Sequence, residues 1–110
     1  AFGPRVATLA WEKKEEALPA TSLLVNTTSL GMQGKPPLAL SLASLAQGAA
    51  VYDIVYAPLE TPLLAEAKNR GFAAVDGLGM LLYQAQQAFA LWWDVMPEVT
   101  GELRRVALAE

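Results

Sequence analysis

Short apolar runs alternate along the chain with segments that have the periodicity of helices. Four runs have the length and composition of β-strands: residues 5–9, 22–26, 49–55 and 72–75. Four segments have helical spacing or helix-start signals, and they begin at Glu12, Pro62, Leu78 and Pro97. Alternation of short strands with helices predicts an α/β fold with a parallel sheet.

The segment between Thr61 and Gly71 has the clearest local signals in the chain. Thr61 is a preferred N-cap residue, Pro62 suits the first helical turn, and Gly71 can end a helix. A strand at residues 72–75 follows at once, and another at residues 49–55 precedes the helix. Strand, helix and strand at this spacing predict a parallel crossover unit.

The apolar positions also predict which surfaces are buried. The compact run at residues 22–26 is typical of a strand that is covered on both faces. The helix that begins at Leu78 has one apolar stripe: Leu78, Leu81, Leu82, Ala85, Phe89 and Trp92. In the last helix we expect three apolar side chains to point inward: Val99, Leu103 and Val106.

Composition limits the class of protein. The 110 residues are 54% hydrophobic and 17% charged, which indicates a chain buried on several sides or cut from a larger body. No run reaches the roughly 18 apolar residues of a membrane span, and the start of the chain lacks a signal-peptide pattern. We therefore expect a soluble protein, with a cytoplasmic location.

The absence of Cys and His narrows the chemistry that these residues can perform. Without Cys there is no disulfide, thiolate metal site or cysteine nucleophile, and without His there is no imidazole acid or base. We accordingly predict no metal site. The net charge of −3 argues against binding to a phosphate backbone, so we expect no nucleic-acid partner.

Three motifs occur where a parallel sheet would bind a ligand, beyond the carboxyl ends of its strands. They are NTTSLGM at residues 26–32, YDIVYAP at 52–58 and DGLGMLLYQA at 76–85. Small residues such as Thr28, Ser29 and Gly31 allow close approach to a planar ring, and the hydroxyls can bond a ribose. Gly77 and Gly79 flank a helix start, whose free N–H groups suit an amide or a phosphate.

Each of these residues also has a purely structural interpretation. Asn26 and Asp76 are residue types that commonly form turns. Tyr56 is explained equally by packing at the rim of a sheet, and Gln84 by a solvated helix position. Taken one at a time, the residues leave these alternatives open.

Taken together, the three motifs resemble the matching segments of shikimate dehydrogenases, over roughly residues 20–97. The resemblance implies a partial Rossmann-like parallel sheet with flanking helices and a C-terminal helical pair. Residues 1–78 would form the C-terminal half of the dinucleotide-binding domain. Residues 79–110 would form closing helices that pack toward a substrate domain absent from this sequence.

The resemblance implies a function for the whole protein and a role for six residues. The protein would be an NADP-dependent dehydrogenase that reduces 3-dehydroshikimate to shikimate, in aromatic amino acid biosynthesis. Tyr56 and Gln84 would hydrogen-bond the substrate. Four residues would bind NADP near its nicotinamide: Thr28, Ser29, Ile54 and Gly77. The implied partners are the small-molecule substrate, the N-terminal substrate domain of the same enzyme and, as one alternative for the assembly, a second copy in a homodimer.

Parts of the family pattern are missing. No G-x-G-x-x-G turn follows a first strand, because Gly77-Leu78-Gly79 comes late and lacks the third glycine. No segment resembles those that carry the family's catalytic Lys and Asp, so we assign no catalytic residue and expect the 110 residues alone to be inactive. A quinate-type dehydrogenase, a non-catalytic α/β module for binding or oligomerisation, and NAD instead of NADP remain open alternatives.

Overall fold

The computed structural model describes residues 3–109 as a parallel sheet with helices around it. A 3₁₀ turn (Gly3–Arg5) and a 3₁₀ helix (Trp11–Ala20) come first. The remaining elements, in chain order, are β1 (Leu23–Asn26), β2 (Ala50–Asp53), α1 (Pro62–Asn69), β3 (Ala73–Val75), α2 (Leu78–Trp93) and α3 (Gly101–Leu108). The predicted α/β class with a parallel sheet is confirmed. Ala1, Phe2 and Glu110, at the outer ends of the two predicted domains, lie outside the described residues.

The three strands are parallel and lie in the order β1-β2-β3. The register places Val51 between Leu24 and Ala74, and it places Asn26 directly opposite Asp53. All three strands therefore end at the same edge of the sheet. The three motifs lie in the loops and the helix start that follow this edge.

Helix α1 forms in the way that its sequence predicts. The Thr61 hydroxyl accepts a hydrogen bond from the Leu64 amide at 3.3 Å, and Pro62 occupies the first turn. Gly71 follows the helix with φ +82°, a conformation that glycine adopts without a steric penalty. The chain then enters β3 directly, so the predicted strand–helix–strand unit is confirmed.

The hydrophobic core lies on one face of the sheet, between the strands, α1, the 3₁₀ helix and the loop that precedes β2. Its buried members are Leu18, Leu42, Leu45, Ala49, Val51, Leu63, Leu64 and Ala67. The Glu66 carboxylate accepts a hydrogen bond from the Leu42 amide at 3.0 Å, which ties the loop to α1. The side chains of this core are almost completely removed from water.

The opposite face of the sheet is open within residues 3–109. Leu23 of β1 and Val75 of β3 are 58% and 52% exposed, and Val25 of β1 is exposed as well. The expectation that β1 is covered on both faces is therefore wrong for the described chain. The reason is that α1 packs against β2 and β3 from one side only.

The two ends of the chain differ from the sequence-based expectations. The strand predicted at residues 5–9 is absent from the described sheet: Arg5 ends the 3₁₀ turn, and residues 6–9 are irregular and exposed. The last helix begins at Gly101, because the Thr100 hydroxyl caps it by accepting from the Leu103 amide at 3.0 Å. The prediction that the last helix begins at Pro97 is therefore wrong.

The face of α3 that turns inward also differs from the prediction. Leu103 and Val106 are exposed, and Val99 precedes the helix, whereas Arg104 is partly buried. The predicted stripe of α2 is likewise buried only at Leu78. None of the helices in the described part of the chain is long and apolar enough to cross a membrane.

The position of the core predicts unequal effects of leucine truncation. Leu64→Ala should lower the free energy of unfolding by about 2–5 kcal/mol, because it removes buried methyl groups and leaves a cavity. Leu91→Ala is the matched control, since Leu91 is 86% exposed, and it should change the free energy by less than about 0.5 kcal/mol. Urea denaturation of the two variants in the same background measures both values. Equal losses would contradict the described core.

Candidate functional site

A buried carboxylate at the end of β2 organises the carboxyl edge of the sheet. Asp53 is fully buried and accepts three hydrogen bonds. The donors are the Asn26 amide at 3.1 Å, the Val55 backbone N–H at 3.0 Å and the Thr61 hydroxyl at 2.7 Å. Because a buried carboxylate without partners is strongly unfavourable, these donors stabilise the folded chain. Asp53 therefore joins β1, the loop after β2 and the cap of α1.

Asn26 extends this network into the first motif. Its side-chain N–H groups donate to Leu30 O and to Asp53, both at 3.1 Å. Its carbonyl oxygen accepts from the Thr28 backbone N–H at 3.0 Å and from the Thr28 hydroxyl at 2.7 Å. Asn26 thus forms the turn, in agreement with its structural interpretation. The Thr28 hydroxyl therefore uses its only proton in the bond to Asn26. Its oxygen also accepts a hydrogen bond from the Leu30 backbone N–H at 3.1 Å.

The first two motifs are joined at the same edge. The Gln33 backbone N–H donates a hydrogen bond to Ala57 O at 2.7 Å, and Gly31 adopts φ +90° beside Thr61. Between the two loops lies a cavity of about 340 Å³, lined by Thr27, Thr28, Ser29, Met32, Ile54, Val55, Tyr56 and Ala57. Four of the six predicted site residues are among them: Thr28, Ser29, Ile54 and Tyr56. The structure therefore brings these four residues together around one cavity, whose lining is mostly apolar with a few polar groups.

Gly77 lies against the backbone at the end of β2. A Cβ at this position would overlap the Ile54 carbonyl and come within 2.9 Å of Asp53 O. Only glycine leaves room here, so the start of α2 packs directly on the segment that bears Ile54. The neighbouring Asp76 carboxylate accepts from the Leu78 amide at 3.1 Å and fixes this turn. Gly77 is thus adjacent to one wall of the cavity without lining it.

The two predicted substrate residues do not share a cavity in the described chain. Tyr56 is exposed and lines both the cavity between the loops and a second one of about 250 Å³. Gln84 lies in the middle of α2, exposed, and lines an open groove with apolar neighbours that include Phe89 and Trp92. Gln84 therefore lies outside both of the cavities that Tyr56 lines.

Two residues with structural roles at this site escaped sequence reasoning. Asp53 was part of a motif, and its position at the end of an apolar strand run was the available signal for a buried polar partner. Arg104 lies on α3, far along the chain from the site. Its side chain pairs with Asp76, with Nη2 at 3.3 Å from both carboxylate oxygens. No signal in the local sequence connects these two residues.

Metal-ligand geometry is not found in the described part of the chain. Within residues 3–109 there is no group of three or more His, Cys, Asp or Glu side chains that could hold an ion. Asp53 receives its hydrogen bonds from an amide, a hydroxyl and a backbone N–H. Its oxygens are used to organise loops.

Known proteins that resemble the chain in sequence point to one family. The shikimate dehydrogenase (NADP(+)) of Methylobacterium radiotolerans is 60% identical over 111 residues, which is 100% of this chain and 39% of that protein. The enzyme of the same name from Rhodopseudomonas palustris is 55% identical over 109 residues, 99% of this chain and 39% of that protein. The chain belongs to the shikimate dehydrogenase family. No protein-family model matches it.

Solved structures place the fold in the same family. Shikimate 5-dehydrogenase from Thermus thermophilus, in complex with NADP(H) and shikimate, superposes with a TM-score of 0.75 at 37% identity, over 84% of this chain and 36% of that chain. Quinate dehydrogenase from Corynebacterium glutamicum, in complex with NAD, gives 0.80 at 33% identity, over 90% and 35%. The chain spans about 39% of the length of the curated shikimate dehydrogenases that it matches.

The close approach at Gly77 predicts a sharp contrast between two neighbouring glycines. Gly77→Ala should destabilise by about 1–3 kcal/mol or more, because the new methyl group overlaps the Ile54 carbonyl. Gly79→Ala should be neutral or stabilising by up to about 1 kcal/mol, since its methyl group would meet only Arg104 Nη1, at 3.7 Å. Thermal or urea unfolding of both variants gives the comparison. A Gly77→Ala protein as stable as Gly79→Ala would show that the two backbones are farther apart.

The Asp53 network predicts the effect of removing the Thr61 hydroxyl. Thr61→Val should lower the free energy of unfolding by about 2–4 kcal/mol, because the Leu64 amide loses its cap and Asp53 loses a donor. Thr61→Ser keeps both bonds and loses only a methyl group, so it should lose about 1 kcal/mol or less. Denaturant titration of the pair separates the hydroxyl from the methyl. Similar losses in the two variants would assign the effect to packing alone.

Proposed function

We propose that this chain supplies the nicotinamide end of the cofactor site, and part of the substrate site, of an NADP-dependent shikimate dehydrogenase. The observation that carries the proposal is the cavity where Thr28, Ser29, Ile54 and Tyr56 meet, at the carboxyl edge of a parallel sheet. This is the edge at which open α/β sheets bind their ligands. The names of the curated relatives support the same activity.

The residues of this chain would act by positioning. When bound there, the cofactor would supply a hydride as NADPH, or accept one as NADP⁺, for the interconversion of the 3-dehydroshikimate carbonyl and the shikimate hydroxyl. Because the Thr28 hydroxyl proton is already donated to Asn26, Thr28 can meet a ribose hydroxyl only as an acceptor. Ile54 and Gly77 would present backbone and a small apolar surface to the nicotinamide. Holding two reactants in order in this way accounts for several kcal/mol of barrier reduction in enzymes generally.

The acid and base groups of the reaction would come from elsewhere in the complete enzyme. The sequence has no His or Cys, and the Asp53 oxygens are occupied by hydrogen bonds. The chain spans about 39% of the length of its curated relatives, which leaves ample room for those groups. The inactivity of the 110 residues by themselves stays a prediction.

The choice of cofactor and substrate is supported by the two curated relatives that are 60% and 55% identical to this chain. Both curated proteins carry NADP(+) in their names, and the solved Thermus enzyme was determined with NADP(H) and shikimate. The quinate dehydrogenase with NAD has a TM-score of 0.80 but only 33% identity. A quinate-type dehydrogenase that uses NAD is therefore the second candidate. A non-catalytic module has no specific observation in its favour.

Two exposed apolar surfaces support the proposed division at residue 78. The open face of the sheet, with Leu23, Val25 and Val75, belongs to the dinucleotide-binding part, since parallel sheets are normally covered on both faces. The second surface is the aromatic end of α2, where Phe89 and Trp93 lie with ring centroids 4.7 Å apart. We propose that the rest of the cofactor domain covers the first surface and the substrate domain covers the second.

A consequence of this arrangement concerns Gln84. Its groove on α2 would become a closed pocket only when the substrate domain packs against that helix. A buried amide can then bond a ring hydroxyl of shikimate, while Tyr56 binds from the sheet edge. A homodimer and a cytoplasmic location stay predictions.

The proposal predicts the kinetics of two substitutions in the complete enzyme. Gln84→Ala should reduce kcat/KM for shikimate by roughly threefold to a hundredfold and leave the KM for NADP unchanged, because it removes one substrate hydrogen bond. Tyr56→Phe should act similarly, since it removes only the hydroxyl. Gln87→Ala is the matched control on the same exposed helix. Steady-state kinetics with substrate and cofactor varied separately measure the effects.

The outcomes separate the two candidates and the structural interpretation. Wild-type kinetics for Gln84→Ala would remove Gln84 from the substrate site and return it to a solvated helix position. Higher activity of the parent enzyme on quinate with NAD than on shikimate with NADP would favour the second candidate. An enzyme with neither activity would refute the proposed function.

A further inference from the structure

Helix α3 is attached to the site by a side-chain ion pair. Arg104 Nη2 lies 3.3 Å from both carboxylate oxygens of Asp76. One of these oxygens, Oδ1, also accepts a hydrogen bond from the Leu78 backbone N–H. Asp76 directly precedes Gly77, which packs on the Ile54 carbonyl. The guanidinium of α3 thus acts on the residue that fixes the turn between β3 and α2.

Asp76 is the carboxylate that pairs with Arg104 in this position. Arg104 Nη1 lies over the first turn of α2, 3.7 Å from where a Gly79 Cβ would be. The N-terminus of a helix carries positive partial charge and disfavours a cation. The attraction must therefore come from the Asp76 carboxylate. With side chains 36% and 28% exposed, the pair is less open to solvent than the Arg105–Glu102 pair on the same helix, at 72% and 80%.

The far end of α3 reaches the second motif. Ala107 and Leu108 line the cavity of about 250 Å³ that also has Tyr56 and Ala57 in its wall. One helix thus contacts the turn before Gly77 through Arg104 and faces the Tyr56 loop one turn later. Its position is coupled to both of the segments that the proposed function assigns to nicotinamide and substrate.

We propose that Arg104 is a positioning residue for cofactor binding: by pairing with Asp76 it holds the Asp76–Gly77 turn in place against Ile54. This inference rests on the proposed function, because it takes Gly77 to lie beside the nicotinamide. Arg104 acts through Asp76 and does not touch the cofactor. Loss of the pair leaves the turn free to shift. The cofactor then binds less tightly, and its nicotinamide is positioned less well for hydride transfer.

The test uses the complete enzyme, with NADP and shikimate varied separately. Arg104→Gln should raise the KM for NADP and lower kcat/KM for NADP by about threefold to thirtyfold, the range expected for a coupled contact. Arg105→Gln, which removes a neighbouring exposed arginine, should leave both constants unchanged. Arg104→Lys keeps the charge and should recover part of the loss. Asp76→Asn still caps the Leu78 amide but loses the charge, and combining it with Arg104→Gln should add little further loss.

The outcomes distinguish positioning from a purely structural effect. A raised KM for NADP at an unchanged melting temperature, with a non-additive double variant, supports the proposal. A lowered melting temperature and a lower active fraction, with the KM for NADP unchanged, overturns it. If the parent enzyme is active and Arg104→Gln matches Arg105→Gln, this inference alone fails. If the parent shows no NADP-dependent oxidation of shikimate, the proposed function and this inference both fail.

Discussion

The buried carboxylate of Asp53 is the interaction on which the carboxyl edge of the sheet depends. Its oxygens accept from Asn26, Val55 and Thr61, which belong to three different segments of the chain. A carboxylate removed from water is tolerated only when its acceptor sites are filled, so the three segments are held to one geometry. Through Asn26, the same constraint reaches the Thr28 turn. The hydrogen bonds of Asp53 and Asn26 therefore help to shape the cavity between the loops.

Close backbone packing complements this network on the other side of the site. Gly77 brings the start of α2 against the Ile54 carbonyl with no room for a side chain. The Asp76 carboxylate in the turn accepts hydrogen bonds from the Leu78 backbone N–H and from Arg104 of α3. The residues proposed to meet the cofactor are thus small or use their backbone, while neighbouring polar residues hold them in position. This arrangement suits the proposed role of the site, which is to orient two reactants.

The distribution of apolar surface explains why the site is only partly enclosed in this chain. The core fills one face of the sheet, whereas Leu23 and Val75 on the other face remain exposed. Trp92 and Trp93 at the end of α2 are exposed as well and stack edge to face at 5.6 Å. Surfaces of this kind are normally covered in folded proteins. The proposed remainder of the enzyme would cover them and close the groove at Gln84.

The sequence by itself determined the elements whose signals are local. The cap at Thr61, the glycine at Gly71 and the apolar runs of the strands predicted the parallel sheet and α1, because capping, turn geometry and burial periodicity act over a few residues. The resemblance to shikimate dehydrogenases supplied the six predicted site residues, and four of them meet in one cavity because strand ends share an edge. Their contacts with cofactor and substrate stay predictions. Only the tertiary structure decided the Asp53 network, the open sheet face and the Arg104–Asp76 pair. Each of these joins residues far apart in the chain or depends on which surfaces have a neighbour, and no local pattern encodes that.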